Sequence, residues 1–299
     1  MGSEHGLTKI MSDDIRPRRS VLYMPAANAR ALEKAQTIAC DAVIFDLEDA
    51  VAPDAKALAR DQAVAAVASG QYGARELTIR CNGLDTPWGA DDLAAAAGAA
   101  PAAVVIPKVS DVAYLEQVSA TLDAAGAPTS VRIWAMVETP EAIYSVRALA
   151  AFPRVAVLVM GTNDLAKELR AQLVHGRAPL VSHLAAAVLA ARAAGKAILD
   201  GVYNDVRDAE GFAAEARQGF EMGFDGKTLV HPSQVEPTNA IWAPSEADID
   251  LARRTIAAFE AADAEGRGVI TVDGKMIENL HVDNARRTLA VAAAVAALG

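Results

Sequence analysis

The stretch VIFDLED, Val43–Asp49, decides how this chain is read. An apolar run without polar alternation ends directly on Asp46, and Glu48 and Asp49 follow at once. A run of that kind suits a strand covered on both faces, as in a parallel sheet. The same pattern recurs along the chain. LTIRCNG (Leu77–Gly83) carries Arg80 at its strand end, AVVIPK (Ala103–Lys108) ends on Lys108, and IWAMVE (Ile133–Glu138) ends on Glu138. VLVMGTND (Val157–Asp164) ends on Asp164, and TLVHPSQ (Thr228–Gln234) runs into His231. In a parallel β/α barrel the active site is built from the loops at the C-terminal strand ends. The ionisable residues therefore mark a candidate rim.

Working outward, the remaining strands are expected at Ser20–Met24, Leu77–Cys81, Arg132–Val137, Val155–Met160, Ala197–Leu199 and Lys227–Val230. Helices are expected over Ala29–Ala39, after Pro53, and over Ala90–Ala97. Thr139, Pro140 and Glu141 read as N-cap, first-turn proline and first-turn acid of another helix. Asn163 or Asp164 is the expected cap of the helix after strand six. About eight βα repeats without a GxGxxG fingerprint predict a (β/α)8 TIM barrel in the α/β class rather than a doubly wound sheet. The expected organisation is an N-terminal arm (1–15), the barrel (16–244) and a C-terminal appendage (245–299). In the appendage, Ser245 and Asp248 have capping-box spacing before a helix, and Asp273-Gly274 suits a hairpin turn.

Composition narrows the function. The 299 residues are 53% hydrophobic and carry a formal net charge of −10. That field repels nucleic-acid phosphates, and no basic cluster offsets it. No apolar run reaches the roughly 18 residues of a membrane span free of charges and helix breakers. The polar start, MGSEHGLTKIMSDDIRP, has no signal-peptide character, so a cytoplasmic enzyme is expected. Cys40 and Cys81 make no CxxC motif and read as reduced core thiols, although a reactive thiol at Cys81, beside Arg80, is the alternative.

Glu138 and Asp164 are the sharpest pair. Two carboxylates converging from neighbouring strands repel unless one is protonated or a cation lies between them. Magnesium takes one or two carboxylates and completes its octahedron with water and substrate oxygens; the competing reading is that each caps a helix. Asp46, Glu48 and Asp49 either pair with bases and metal-bound water or form a solvated turn. Arg80 offers a fixed fork for a substrate carboxylate, or an internal ion pair with Asp46 or Glu48. Lys108 reads as a salt-bridge residue, and His231 as a structural hydrogen bond or a ligand contact. Asp273, Glu278 and His281 face solvent unless the appendage folds over a site.

The stretches RSVLYMPAANARALEKA, DAVIFDLEDAVAPDAKALAR, TIRCNGLDT, VIPKVSD, AMVETPEAI, GTNDLA, GFDGKTLVHPSQVEPTNAIWAPSEADIDLARR and GRGVITVDGKMIENLHVDNAR run from Arg19 to Arg286. Together they resemble the citrate lyase beta-subunit and malyl-CoA lyase family, within the phosphoenolpyruvate/pyruvate barrels. The resemblance implies a Mg²⁺-dependent carbon–carbon lyase acting on a malyl-, citramalyl- or citryl-type thioester of CoA or of an acyl-carrier partner. The 2-oxo acid would be pyruvate, glyoxylate or oxaloacetate, and the assembly a homotrimer or hexamer. By motif match, Glu138 and Asp164 hold the metal, Arg80 binds the 2-oxo acid, and Asp46 and Glu48 support both. Gly161 and Thr162 of the GTNDLA stretch line the substrate, and Arg19, Arg30 and Lys34 lie near CoA. The appendage of related lyases brings an aspartate as acid/base, often from another subunit; here Glu278 stands in its place. The compact segment between strands six and seven resembles the citrate lyase beta branch. The rival expectations are a class II pyruvate aldolase on free hydroxy acids, a malyl-CoA thioesterase and a non-catalytic subunit.

Overall fold

Eight parallel strands close on themselves in chain order. They are β1 (Ser20–Pro25), β2 (Ala42–Asp46), β3 (Glu76–Arg80), β4 (Ala103–Ile106), β5 (Arg132–Val137), β6 (Val155–Met160), β7 (Ala197–Asp200) and β8 (Gly226–Leu229), and β8 pairs back onto β1. The computed structural model describes residues 15–264 and 270–298, so the expected arm lies outside the described residues except for Ile15. Helices α1 (Ala29–Ala35), α2 (Lys56–Ala68), α3 (Gly89–Ala99), α4 (Val112–Ala124) and α5 (Pro140–Ala151) follow the first five strands. Both α6 (Thr162–Glu168) and α7 (Val181–Ala193) follow β6, then α8 (Ala209–Met222) follows β7 and α9 (Val235–Trp242) follows β8. This is the expected barrel.

Strand alternation separates two cores. Leu22, Val43, Phe45, Val104, Ile106 and Ile133 pack with helix residues such as Leu32, Leu93 and Leu115. Their strand neighbours Val21, Ile44, Val105, Trp134 and Val157 cluster with apolar residues of other strands, so they fill the barrel interior. Two helices depart from expectation. α1 stops at Ala35, where Gln36 takes the C-cap and Thr37 Oγ1 donates to the Lys34 carbonyl. α6 starts at Thr162 with Gly161 at its N-cap, so neither Asn163 nor Asp164 caps it.

The described residues divide into two compact units, Arg18–Trp242 and a terminal unit that includes the chain from Ala243. In the terminal unit, α10 (Glu246–Ala264) is capped by Ser245, whose Oγ receives the Asp248 N–H while donating to its carboxylate. β9 (Ile270–Val272) and β10 (Lys275–Ile277) form an antiparallel hairpin, and α11 (Asn279–Ala296) follows. Asp273 and Gly274 both adopt positive φ, as a type I′ turn requires.

Behind the barrel wall, Lys227 is fully buried. Its ammonium reaches Asp200 Oδ2 at 3.0 Å, Glu215 Oε1 at 2.8 Å and the Gly201 carbonyl at 2.6 Å. Arg177 Nη1 donates to Asp200 Oδ1 at 2.6 Å. Burial opposes the Asp200 charge, but Lys227 and Arg177 outweigh it and hold the carboxyl below its ordinary value. Removing one member of such a cluster strands a charge in a dry interior. Lys227→Ala is expected to cost about 3–5 kcal/mol, read from the shift in urea unfolding midpoint at constant m-value.

Candidate active site

β2 and β3 end side by side, with Asp46 in register with Arg80. The Arg80 guanidinium forks onto Asp46, Nε to Oδ1 at 2.6 Å and Nη2 to Oδ2 at 2.7 Å. Nη1 reaches Glu48 Oε2 at 2.7 Å. The ring of Tyr23 lies against the guanidinium carbon, 4.9 Å from centroid to carbon. Asp46 also accepts the backbone N–H groups of Glu48 and Ala50 at 2.9 and 3.1 Å. Its four acceptor directions are thereby engaged, two by Arg80 and two by the backbone. Nη1 also lies 3.5 Å from Asp49 Oδ2, so the guanidinium faces three carboxylates.

A second layer that sequence reasoning missed holds this loop. Lys56 Nζ donates to the carbonyls of Leu47 and Glu48, both at 2.7 Å, and to Asn82 Oδ1 at 2.8 Å. Asn82 in turn donates to Asp92 Oδ2, and Arg60 Nε donates to Asp92 Oδ1. Two bases four residues apart at the start of a helix after DLED were the available signal, but nothing in their spacing distinguishes inward-facing bases from solvated ones.

Glu138 follows β5, and Asp164 lies in the first turn of α6, after β6. Glu138 is 2% exposed. Its Oε1 accepts the Lys108 backbone N–H at 2.6 Å. Burial pushes its carboxyl up to about 8, opposed by the Lys108 N–H and reinforced by Glu48 and Asp164. Burial likewise lifts Glu48 to about 7, with Arg80 opposing and Asp49 and Asp46 adding. A raised carboxyl facing further carboxylates marks a place where a cation is stabilised. Among the described residues no group of three or more His, Cys, Asp or Glu side chains forms a metal cage. The pair Glu138 and Asp164 instead fits an ion that completes its shell with water and ligand oxygens.

The other expected site residues fall in different places. Arg30 and Lys34 sit exposed on α1, after the C-terminal end of β1. Arg19 precedes β1, at the opposite end of the barrel, and its guanidinium is bound to both oxygens of Asp41. Entering a strand rather than leaving one puts Arg19 away from the rim formed by the C-terminal strand ends. Thr162 is buried against Gly201, where a Cβ would come within 2.4 Å of Thr162 Oγ1. Glu278 is exposed at the N-cap of α11 in the terminal unit, with its backbone N–H on His281 Nδ1. Cys81 is buried among the outer core, which drives its thiol well above the ordinary range and makes it unreactive. His231 Nδ1 accepts the Ser233 N–H and caps the Pro232–Gln234 turn.

Gly161 explains why a glycine stands between the two carboxylates. A Cβ there would meet Glu138 Oε2 at 2.2 Å and its Cβ at 2.4 Å. Gly161→Ala is therefore expected to displace the Glu138 carboxylate and lower stability by about 1–3 kcal/mol, measured by chemical denaturation.

Residues 19–232 match the family model described as HpcH/HpaI aldolase/citrate lyase. The chain is 49% identical over 289 residues to a (3S)-malyl-CoA thioesterase of Cereibacter sphaeroides, covering 97% of this chain and 99% of that protein. It is 34% identical over 280 residues to the citrate lyase subunit beta of Escherichia coli, covering 92% and 93%. The crystal structure of the protein CitE from Mycobacterium tuberculosis, in complex with magnesium, acetoacetate and coenzyme A, matches with a TM-score of 0.76 and 29% identity over 93% of this chain and 100% of that one. With the family model spanning the barrel, this chain belongs to the HpcH/HpaI aldolase/citrate lyase family.

Proposed function

We propose that this chain is a Mg²⁺-dependent hydrolase of a 3-hydroxy-carboxyacyl thioester of the malyl-CoA type. The observation that carries this reading is 49% identity, across 97% of the chain, to a protein named (3S)-malyl-CoA thioesterase. The rim charges support it. Glu138 and Asp164 would hold the ion, which supplies polarisation of a bound oxygen and offsets their charge. The Arg80 guanidinium, fixed in place by Asp46, would hold the acyl carboxylate. Glu48, with a carboxyl at about 7, is poised to take a proton from the attacking water. Hydrolysis forms a C–O bond from that water, breaks the C–S bond and delivers a proton to the departing thiolate. Glu278 stays a candidate proton donor on its motif match alone. CoA is the handle in this reading rather than a carrier protein. A cytoplasmic setting suits this reading, since the buried thiols of Cys40 and Cys81 are free.

The carbon–carbon lyase expected from the sequence becomes the second reading, favoured by 34% identity to a citrate lyase subunit beta. One assay separates them. Purified protein with Mg²⁺ and malyl-CoA is expected to release free CoA thiol without glyoxylate. Glyoxylate appearing with acetyl-CoA instead establishes the lyase. Ligand binding with neither product establishes a non-catalytic subunit, and turnover of free hydroxy acids establishes an aldolase.

The carboxyl of Glu138 gives an independent test. A carboxyl raised from 4.5 to about 8 on folding contributes stability that is fully present below about pH 4.5 and lost as pH rises through about 8. Glu138 must lose its proton to hold an ion, so binding at neutral pH releases protons. Apparent Mg²⁺ affinity is expected to climb between about pH 6 and pH 8 and to level off above. Calorimetry in two buffers of different ionisation heat measures the released proton, and Glu138→Gln is expected to abolish both the affinity and its pH dependence.

A further inference from the structure

Arg80 and Lys108 at the rim and Lys56 behind it have their donors differently engaged. Arg80 is held by two hydrogen bonds of 2.6 and 2.7 Å to Asp46 and by ion pairs to Glu48 at 2.7 Å and Asp49 at 3.5 Å. Lys56 is buried, and its ammonium hydrogens lie on the Leu47 and Glu48 carbonyls and on Asn82. Lys108 differs from both. Its side chain is 60% exposed, and Glu48 Oε1 lies 4.0 Å from its ammonium, beyond hydrogen-bond length. All three of its donors therefore remain available to a ligand.

The backbone of Lys108 adds a second observation. After Pro107, Lys108 adopts φ 49°, a left-handed conformation that costs a lysine energy and persists only where its surroundings impose it. That conformation accompanies the amide's bond to Glu138 Oε1 at 2.6 Å, and the ammonium of the same residue stands beside Glu48. Burial works against the charge of Lys108, but Glu48, Asp164, Glu138 and Asp49 outweigh it and keep the ammonium charged beyond the ordinary lysine range. A divalent ion drawn to the same carboxylates repels this ammonium, and a flexible four-carbon stem lets the ammonium move.

We propose that Lys108 is a substrate-binding residue of this site: its ammonium balances the rim carboxylates until a divalent cation takes its place there, and then pairs with an anionic oxygen of the thioester substrate. This inference rests on reading the rim as a site for a divalent cation and a carboxylated thioester. Calorimetry on the full chain tests it, with Mg²⁺ alone and then malate at saturating Mg²⁺, for the wild type, Lys108→Gly and Lys108→Arg. Glycine accommodates φ 49° and retains the amide on Glu138, so Lys108→Gly removes the side chain with its ammonium while the backbone contact stays. Lys108→Gly is expected to bind Mg²⁺ roughly 2- to 5-fold more tightly and malate more weakly by a similar factor. Lys108→Arg is expected to restore malate binding to within about twofold of the wild type. Wild-type affinity of Lys108→Gly for either probe overturns the inference and leaves the reading of the site intact. A wild-type protein that binds neither probe overturns both.

Discussion

The fork between Arg80 and Asp46 is the interaction on which the candidate site depends. It ties the ends of two neighbouring strands, and both partners are nearly closed to water. A planar guanidinium with two of its edges committed has a fixed orientation, so the donors that remain have fixed directions. Tyr23 closes one face of that guanidinium. Such preorganisation turns a flexible cation into a template for a carboxylate, and the orientation cost is met during folding rather than on binding.

Around that template the rim is arranged as an excess of negative charge. Glu48 and Glu138 are both lifted by burial, and neither Asp164 nor Glu138 is ion-paired among the described residues. Burying carboxylates without balancing them is unfavourable in a folded protein taken alone. It becomes favourable where a divalent ion and an anionic ligand bind together, because each then supplies the charge that the other lacks. The strained backbone of Lys108 and the tight contact of Gly161 with Glu138 belong to the same arrangement.

Two buried polar clusters stand behind the rim and keep it rigid. Lys56 gathers the carbonyls after β2 and links them through Asn82 to Asp92 and Arg60. Lys227, Asp200 and Arg177 fix the end of β7, and Gly201, just beyond, abuts Thr162 at the head of α6. Neither cluster stands at the rim itself, yet each is bonded or packed against a segment that carries a rim residue. Truncating any member would act on the site through displacement.

Much of this was legible in the residues. Unbroken apolar runs such as Val43–Phe45 and Val157–Met160 specify strands by their lack of alternation, and the ionisable residue after each run marks the C-terminal end. Motif matches pointed to Glu138, Asp164 and Arg80 before any coordinates. Sequence could not say which carboxylates engage their lone pairs within the protein and which keep them free. Asp46 and Glu48 stand two residues apart, yet one is fully hydrogen-bonded and the other is lifted to about 7. Nor could it tell Lys56, buried on carbonyls, from Lys108, open to solvent. Arg19 shows the same limit, because a base before a strand and a base after one emerge at opposite ends of the barrel. Local periodicity determines where strands begin and end, whereas burial, hydrogen-bond partners and shifted acidity arise from groups distant in the chain and are decided only when the barrel closes.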